Sequence, residues 1–483
     1  MAASNAQSAD FQSFYNTING DQVSGAEVRY GVNPSTGAEI DAGVPVATRN
    51  DVDKAVHAAI QASKGWYKGY SLDDRRQKLK TYAEVVKQYK GELAAILTRE
   101  HGMPIWLAER DVLEGAKWLS GIADVPFKHH RKKTYQDDIG TEQHATLSYT
   151  PLGVVVAIVP WNFPMQIACG KIACAVLTGN SVIVKPSPQA PYTILKVVEL
   201  ASTIFPPGVI QALNGTDELG QWLTEHEGVD KISFTGSTAV GKKIMQSASQ
   251  SMKRLTLELG GNDVAVICPD VDVAATAQQI LTLGVLNSGQ ICMAPQRLYV
   301  HESIYAAFLE AAVQFANSVQ AIDGAHGAFL GPVQNKQQYD RLRDLIAAIP
   351  REGGRIASNV AEFPETGGFL ISPVIVDQPA DDSRVVREER FGPIIALLKW
   401  SDENEVIDRI NSSRSGLGAS VWSKDTDRAT RVAASLEAGN IWINRHMEVT
   451  PRLPFGGLKE SGLGLEWGAK GLEEYCNLRT LFF

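Results

Sequence analysis

Cysteine is scarce. Cys169, Cys174, Cys268, Cys292 and Cys476 are five in 483 residues, an odd and scattered set that excludes a disulfide framework, so reduced thiols are expected. Long apolar runs are missing too, none nearing the roughly 18 residues that a membrane span requires. Met1 to Asp10 is small and polar, with no cationic stretch leading into an apolar one, so no secretory leader is expected. Basic charge is not in excess. Lys and Arg sum to 46 against 54 Asp and Glu, a net charge of −8, which argues against nucleic acid or an anionic membrane as partner. Internal repeats and low-complexity tracts are absent as well. Together these absences point to a soluble cytoplasmic protein.

What is present fits a large enzyme. With 44% hydrophobic and 21% charged residues the composition is that of an ordinary globular protein, and at about 150 residues per domain the length allows roughly three domains. Residues 1–50 suggest short strands around Val28 to Val32 and a turn at Asn33-Pro34-Ser35-Thr36-Gly37. From Asp51, a candidate cap, the periodicity of Val52, Ala55, Val56 and Ile60, and then of Leu79, Tyr82, Val85 and Val86, predicts helices. His129-His130-Arg131-Lys132-Lys133 reads as a solvated loop, and Tyr135 to Tyr149 as an exposed hairpin turning near Gly140, a plausible dimer contact.

Between Pro151 and Asp270 apolar runs alternate with helical stretches. The runs are Val154 to Val159, Ser181 to Val184, Val209 to Leu213, Lys231 to Phe234, Leu255 to Leu257 and Val264 to Ile267. That grammar predicts a parallel sheet with right-handed crossovers and a ligand at the carboxyl ends of its strands. A second α/β series follows Asp270, with strands at Leu298 to Val300, Ile395 to Leu398 and Ile441 to Asn444, and implies a second domain.

Four segments could carry chemistry. Asn287-Ser288-Gly289-Gln290-Ile291-Cys292 sets one thiol among small residues after a helical stretch, a setting for a nucleophile. Cys169, Cys174 and Cys268 read instead as packed hydrophobes. Glu258 ends an apolar strand before Gly260-Gly261; burial would raise its pKa into the range of a general base, although backbone donors at the turn could equally satisfy it. Asn162, in Pro160-Trp161-Asn162-Phe163-Pro164, emerges at the sheet's carboxyl edge and can donate to an oxyanion. Finally, Phe234-Thr235-Gly236-Ser237 opens a helix whose free N–H groups can hold a phosphate. This last segment lacks the three-glycine dinucleotide fingerprint. Gly236 to Lys242 nearly spells a P-loop, but Lys243 stands where a hydroxyl should hold Mg²⁺, so an ATPase is the weaker alternative.

In combination these segments resemble the aldehyde dehydrogenase superfamily, from Asn33-Pro34 to about Tyr475. The matching motifs run in order: Trp161-Asn162-Phe163-Pro164, Lys185-Pro186-Ser187, Gly236-Ser237-Thr238 to Gly241, Glu258-Leu259-Gly260-Gly261, Gly289-Gln290-Ile291-Cys292, Glu389-Arg390-Phe391-Gly392-Pro393, and Pro454-Phe455-Gly456-Gly457 with Lys459, Ser461 and Gly462. The resemblance implies two Rossmann-like parallel-sheet domains and a small β-hairpin oligomerisation element. Residues 1–131 and 150–257 would form the cofactor-binding domain, 258–461 the catalytic domain, and 132–149 with 462–483 the oligomerisation element of a homodimer or homotetramer.

The resemblance also implies a mechanism. Cys292 attacks the aldehyde carbon, the Asn162 amide and the Cys292 N–H hold the oxyanion, and after hydride transfer Glu258 activates the water that hydrolyses the thioester. Lys171 and Glu466 stand where the family has a proton-relay pair. Trp161, Lys185, Ser187, Pro188, Gly215, Gly236, Ser237, Glu258, Leu259, Glu389 and Phe391 would contact the dinucleotide, and Phe163, Cys169, Met293, Phe455 and the Arg445 to Leu453 loop the aldehyde. Arg445 or Arg452 could meet an acidic tail. No metal site is expected. Glu258 argues against a coenzyme-A-acylating relative, and the intact Cys292, Glu258 and Asn162 argue against an inactive structural one such as a lens crystallin. One departure stands out: many NAD-preferring members have Glu three residues after the lysine, and this chain has Pro188. Without the carboxylate that clasps the ribose, NAD versus NADP stays open, and NADP⁺ is expected to be tolerated.

Overall fold

The computed structural model describes residues 10–136, 138–324, 327–359 and 367–483; the polar start before Asp10 lies outside them. A short run of apolar residues has no polar face to offer water, so it folds as a strand covered on both sides. Ile210–Ala212, Ser181–Lys185, Val154–Ile158, Lys231–Thr235 and Arg254–Glu258 lie side by side in that order, all parallel. Asn16–Ile18 and Asp21–Val23 extend one edge antiparallel, and Gly462–Leu463 pairs antiparallel with Leu257 and Glu258 at the other. Helices Pro164–Leu177, Tyr192–Ala201, Asp217–Glu225 and Thr238–Ala248 lie between these strands in the sequence. Helix Ile105–Ala123 adds a further layer against Pro164–Leu177.

The first long helix, Arg49–Gly69, is capped by Thr48 rather than Asp51. The Thr48 hydroxyl accepts from the Asp51 N–H while the Asp51 carboxylate accepts from the Thr48 N–H, a reciprocal capping box that places the acid in the first turn.

The second sheet has the order Arg355–Ile356, Val374–Asp377, Ile394–Trp400, Arg297–His301, Val264–Ile267, Gly418–Trp422, Asn440–Ile443, parallel except at Arg355–Ile356. Val264–Ile267 therefore does not belong with the first series, where its place in the chain had put it. No crossover helix follows Glu258, so the turn at residues 259–263 carries the chain directly from one sheet into the middle of the other. Glycine is required in that turn: a Cβ on Gly261 would lie 2.1 Å from the Cys292 carbonyl oxygen.

A third sheet is antiparallel, Cys476–Phe482 against Glu142–Pro151 against His130–Gln136, with Gly140 at φ +80° near the hairpin turn. The basic run expected as a loop is thus part of an edge strand. Pairing with Glu142–Pro151 satisfies its backbone, and lysines on an exposed edge discourage further pairing. Residues 462–483 divide among layers: Gly462–Leu463 joins the first sheet, Gly468–Glu473 packs near Pro164–Leu177, and Cys476–Phe482 joins the hairpin. Among the described residues no helix is long and apolar enough to cross a membrane.

Two glycine substitutions should separate close approach from chain entropy. Gly261→Ala should lower the unfolding midpoint, equivalent to about 1–3 kcal/mol of overpacking. Gly65→Ala, in the first helix with open space around its Cβ, should raise it by the equivalent of about 0.4–1 kcal/mol. Thermal melts of both variants check the pair, and a Gly261→Ala melt equal to wild type contradicts the crossing geometry.

Candidate active site

The strands of the first sheet release their chain at one edge, and the residues just past their carboxyl ends line a cavity of about 1340 Å³. Trp161 and Asn162 follow Val154–Ile158; Lys185, Ser187 and Pro188 lie at the end of Ser181–Lys185; Gly236 and Ser237 follow Lys231–Thr235; Leu259 and Gly260 follow Arg254–Glu258. Cys292, Glu389 and Phe391 close the cavity from the second sheet's side. One cavity thus brings together a lysine, a helix start and a thiol.

The thiol sits on a strained turn. Asn287, Ser288 and Gly289 all have left-handed φ, at 52°, 55° and 69°, a run that only over-determination by neighbours maintains. The neighbours are present. Asn287 Nδ2 donates to the Asn162 carbonyl at 3.0 Å, Ser288 Oγ to the Gly331 carbonyl at 2.7 Å, and Gln296 Nε2 to the Gly289 carbonyl at 3.1 Å. Asn162 Nδ2 donates in turn to the Gln290 carbonyl at 3.1 Å, which couples the strand end to the cysteine turn. Asn162 is 4% exposed and still lines the cavity, so its second amide hydrogen is available to a ligand there.

Electrostatics keep the resting sulfur protonated. Burial, then the carboxylates of Glu258, Asp263 and Glu389, hold the Cys292 thiol well above its ordinary range, while the Met293 N–H acts in the opposite direction. Glu258 is raised as well, by burial first and by Glu466, with Lys171 opposing. Its Oε2 accepts from Thr235 Oγ1 at 2.9 Å, so the carboxylate lies just beneath the cavity wall. Behind it Lys171 Nζ donates to Glu466 Oε1 at 2.7 Å and to Ser233 Oγ at 2.8 Å, and Ser233 Oγ donates to the same Glu466 oxygen at 2.6 Å. Burial alone would raise Glu466, but Lys171 and Ser233 outweigh it and the net shift is downward.

At the other end burial lowers the Lys185 ammonium to about 8, with Asp217 opposing. Ser237 caps Thr238–Ala248, its hydroxyl accepting from the Val240 N–H, and leaves that helix's first turn facing the cavity. Trp161 and Phe391 meet edge to face at 5.3 Å. Burial raises Glu389 to about 7; its carboxylate accepts from the Gly261 N–H at 3.2 Å. These residues suit a long polyanionic ligand with an aromatic end. Lys242, the lysine of the near P-loop, instead pairs with Glu460 at 3.1 Å.

Other expected residues stand apart from the cavity. Gly215 is buried against Leu219 and outside the lining. Phe455 is 3% exposed in the core, Phe163 and Met293 pack partly buried against the same core beside Cys292, and Cys169 is fully buried. Arg445 pairs with Glu448 at 2.7 Å, and Arg452 is exposed.

Several contributors escaped the sequence reading. Thr235 holds Glu258, and Ser233 bridges Lys171 and Glu466. Gln338 Nε2 donates to the Arg390 and Phe391 carbonyls, each at 2.9 Å, and Arg341 donates to the Glu389 carbonyl. A signal for the first two was available: Lys231, Ser233 and Thr235 alternate in a buried strand and so share one polar face. Gln338 and Arg341 had none, being ordinary helix-surface residues in sequence.

Comparison with known proteins agrees with this architecture. The aldehyde dehydrogenase family model matches residues 23–481. Aldehyde dehydrogenase LUC3 of Fusarium sp is 39% identical over 475 residues, 98% of this chain and 99% of that protein. Among solved structures, betaine aldehyde dehydrogenase of Staphylococcus aureus in complex with NAD⁺ has a TM-score of 0.92 at 30% identity, covering 98% of this chain and 95% of that one. An aldehyde dehydrogenase structure from Bacillus cereus gives 0.92 at 30% identity, with 98% and 96% covered. With sequence and fold alike matched from end to end, the chain belongs to the aldehyde dehydrogenase family and is an oxidoreductase acting on aldehydes.

Proposed function

We propose that the protein oxidises an aldehyde to the carboxylic acid with NAD⁺ or NADP⁺, Cys292 being the nucleophile and Glu258 the general base. The observation that carries this reading is that Cys292 and Asn162 line one cavity, with the buried Glu258 carboxylate held behind its wall by Thr235 and acting on the Cys292 sulfur. Lys185, Ser187, Pro188, Gly236, Ser237 and Leu259 would hold the adenosine and pyrophosphate portions of the dinucleotide, and Trp161, Glu389 and Phe391 its nicotinamide end. That group supplies the hydride acceptor when bound.

The chain's own residues do the rest. The Cys292 thiol releases its proton to water in the cavity, the thiolate sulfur adds to the carbonyl carbon, and the resulting oxyanion accepts hydrogen bonds from the Asn162 side chain and the Cys292 N–H. Once the adduct has been oxidised to the thioester, Glu258 takes a proton from water, the hydroxide oxygen bonds the acyl carbon, and the carbon–sulfur bond breaks. The proton then passes toward the Glu466 carboxylate, which the Lys171 ammonium holds in place. Residues 1–131 with 150–257 are assigned to the cofactor, and 258–461 to catalysis. The hairpin sheet exposes Leu478, Leu481, Phe482 and Phe483, which supports a homodimer or a dimer of dimers through it. Five cysteines without a disulfide fit a reducing, cytoplasmic setting.

Three measurements test this reading. Cys292→Ala should abolish cofactor reduction across an aldehyde panel, a loss of at least about 10³-fold, whereas Glu258→Gln should keep a stoichiometric first turnover and then stall, about 10²-fold or more below wild type in steady state. An active alanine variant rejects the nucleophile, and a lost burst moves Glu258 to thiol activation. Initial rates should show turnover with both cofactors, and Pro188→Glu should lower kcat/KM for NADP⁺ by about tenfold relative to NAD⁺; no NADP⁺ turnover in the wild type refutes tolerance and shifts discrimination to Asp217, which also lines that end. Light scattering should give two or four times the single-chain mass, and a monomer at working concentration overturns the assembly.

A further inference from the structure

Gln334 bridges parts of the molecule that lie far apart in sequence. It is 2% exposed and stands just before helix Lys336–Ala348. Its side-chain Nε2 donates to the Gln189 carbonyl at 2.7 Å and to the Glu100 carbonyl at 3.2 Å, and its main-chain N–H donates to Gln290 Oε1 at 2.8 Å. Gln189 directly follows Pro188 in the loop assigned above to the adenosine, and Gln290 lies two residues before Cys292. The Gln290 carbonyl accepts in turn from the Asn162 amide. One buried residue therefore meets the cofactor loop on one side and the cysteine turn on the other.

Each side has a local framework of its own. In the loop, Ser187 Oγ accepts from the Gln189 N–H and the Ser187 carbonyl from the Ala190 N–H, both at 3.2 Å. The Glu100 carboxylate accepts from the Tyr192 and Thr193 N–H groups at 2.8 and 3.0 Å, which fixes the start of the helix that follows. Across the bridge, Gln290 Nε2 donates to the Asn287 carbonyl at 2.9 Å, and Ser288 Oγ bonds the Gly331 carbonyl. Asn335 adds a third arm. Its Nδ2 donates to Gln334 Oε1 at 3.1 Å, and its Oδ1 accepts from the Gln338 N–H at 2.9 Å, capping the helix whose Gln338 holds the Arg390 and Phe391 carbonyls. What the Gln334 amide contributes is the spacing between these frameworks.

We propose that Gln334 is a positioning residue that sets the register of the dinucleotide: by holding the Gln189 loop against the segment bonded to Gln290 and Asn335, it fixes the span between the adenosine-holding and the nicotinamide-holding residues. The role rests on the dinucleotide lying in this cavity as proposed above. One ligand with two separately held ends gains from both only when the spacing of the sites matches its own length. A change of spacing leaves the adenosine half seated and moves the nicotinamide half relative to Cys292, and a displacement of about 1 Å is enough to slow a reaction roughly 10²-fold. An apolar side chain of the same length at 334 offers the two carbonyls no hydrogen, so it releases the loop from this segment without opening a cavity.

The test compares Gln334→Met, which keeps the length and removes the donor, with Gln334→Asn, whose amide is one methylene too short. Titration calorimetry on each full-length protein measures the affinity for NAD⁺ and for ADP, which carries the adenosine half alone. In both variants the Kd for ADP should stay within about twofold of wild type while that for NAD⁺ rises about fivefold or more. The first-turnover rate should fall about tenfold even at saturating NAD⁺. A general loosening of the fold would weaken both ligands alike or neither. Equal changes for ADP and NAD⁺, or a wild-type NAD⁺ affinity in Gln334→Met, overturn the proposal. If Gln334→Met does not fold, Gln334→Asn decides by the same comparison. ADP that fails to displace NAD⁺ from the wild type sinks the placement of the dinucleotide, and the register role with it. ADP that displaces NAD⁺, beside an unweakened NAD⁺ affinity in Gln334→Met, sinks only the role of Gln334.

Discussion

The approach of the Gly261 backbone to the Cys292 carbonyl is the contact on which the site depends. The two sheets each present a carboxyl edge, and the turn at residues 259–263 joins the end of one to the start of a central strand of the other. That turn is clamped at Asn262: Arg297 donates to its carbonyl at 2.9 and 2.6 Å, Arg390 donates to its Oδ1 at 3.1 Å, and its Nδ2 donates to the Val386 carbonyl at 2.8 Å. Glu258 precedes the clamp and Asp263 follows it, so both acids are located by the same few bonds. A side chain at position 261 would force the Cys292 turn outward and separate thiol from base.

Within that frame burial does most of the electrostatic work. Glu258 and Glu389 rise because they are out of water, and the sulfur rises further because those same carboxylates surround it. A carboxylate raised from its ordinary range takes protons more readily near neutral pH, which a base for water requires. Lys171 sets the limit. Its ammonium bonds Glu466 and Ser233 and opposes the rise of Glu258 by favouring the charged carboxylate.

How much of this was legible in the sequence depended on whether a residue's function was local. The buried strands could be located because apolar runs report strands directly, and the catalytic candidates because Cys292, Glu258 and Asn162 each sit in an unusual short context. The assignment of Val264–Ile267 to a sheet was not legible, because strand order is a long-range property that a run of apolar residues does not encode. The edge strand at His130–Gln136 was missed for a related reason: its charged residues oppose strand propensity, and pairing with Glu142–Pro151 overrides them. Thr48 was passed over for Asp51 since either residue type caps helices, and only geometry separates cap from third position. Gln338 and Arg341 act on backbone carbonyls, so nothing in their neighbours along the chain advertises them.

The strand Lys231–Thr235 shows how the fold reconciles a dry interior with proton chemistry. A strand buried on both faces has no structural use for three polar side chains on one of them, and each left unpaired would cost about 1–3 kcal/mol. None is unpaired: Lys231 Nζ donates to Thr256 Oγ1 at 2.5 Å and lies 4.7 Å from the Tyr475 ring centroid, Ser233 bridges Lys171 and Glu466, and Thr235 holds Glu258. Period-two geometry sets them at even spacing from the core toward the cavity. The sheet that supplies the cavity's wall therefore also supplies a line of hydrogen-bonding groups leading away from the base, and both follow from the alternation of one five-residue strand.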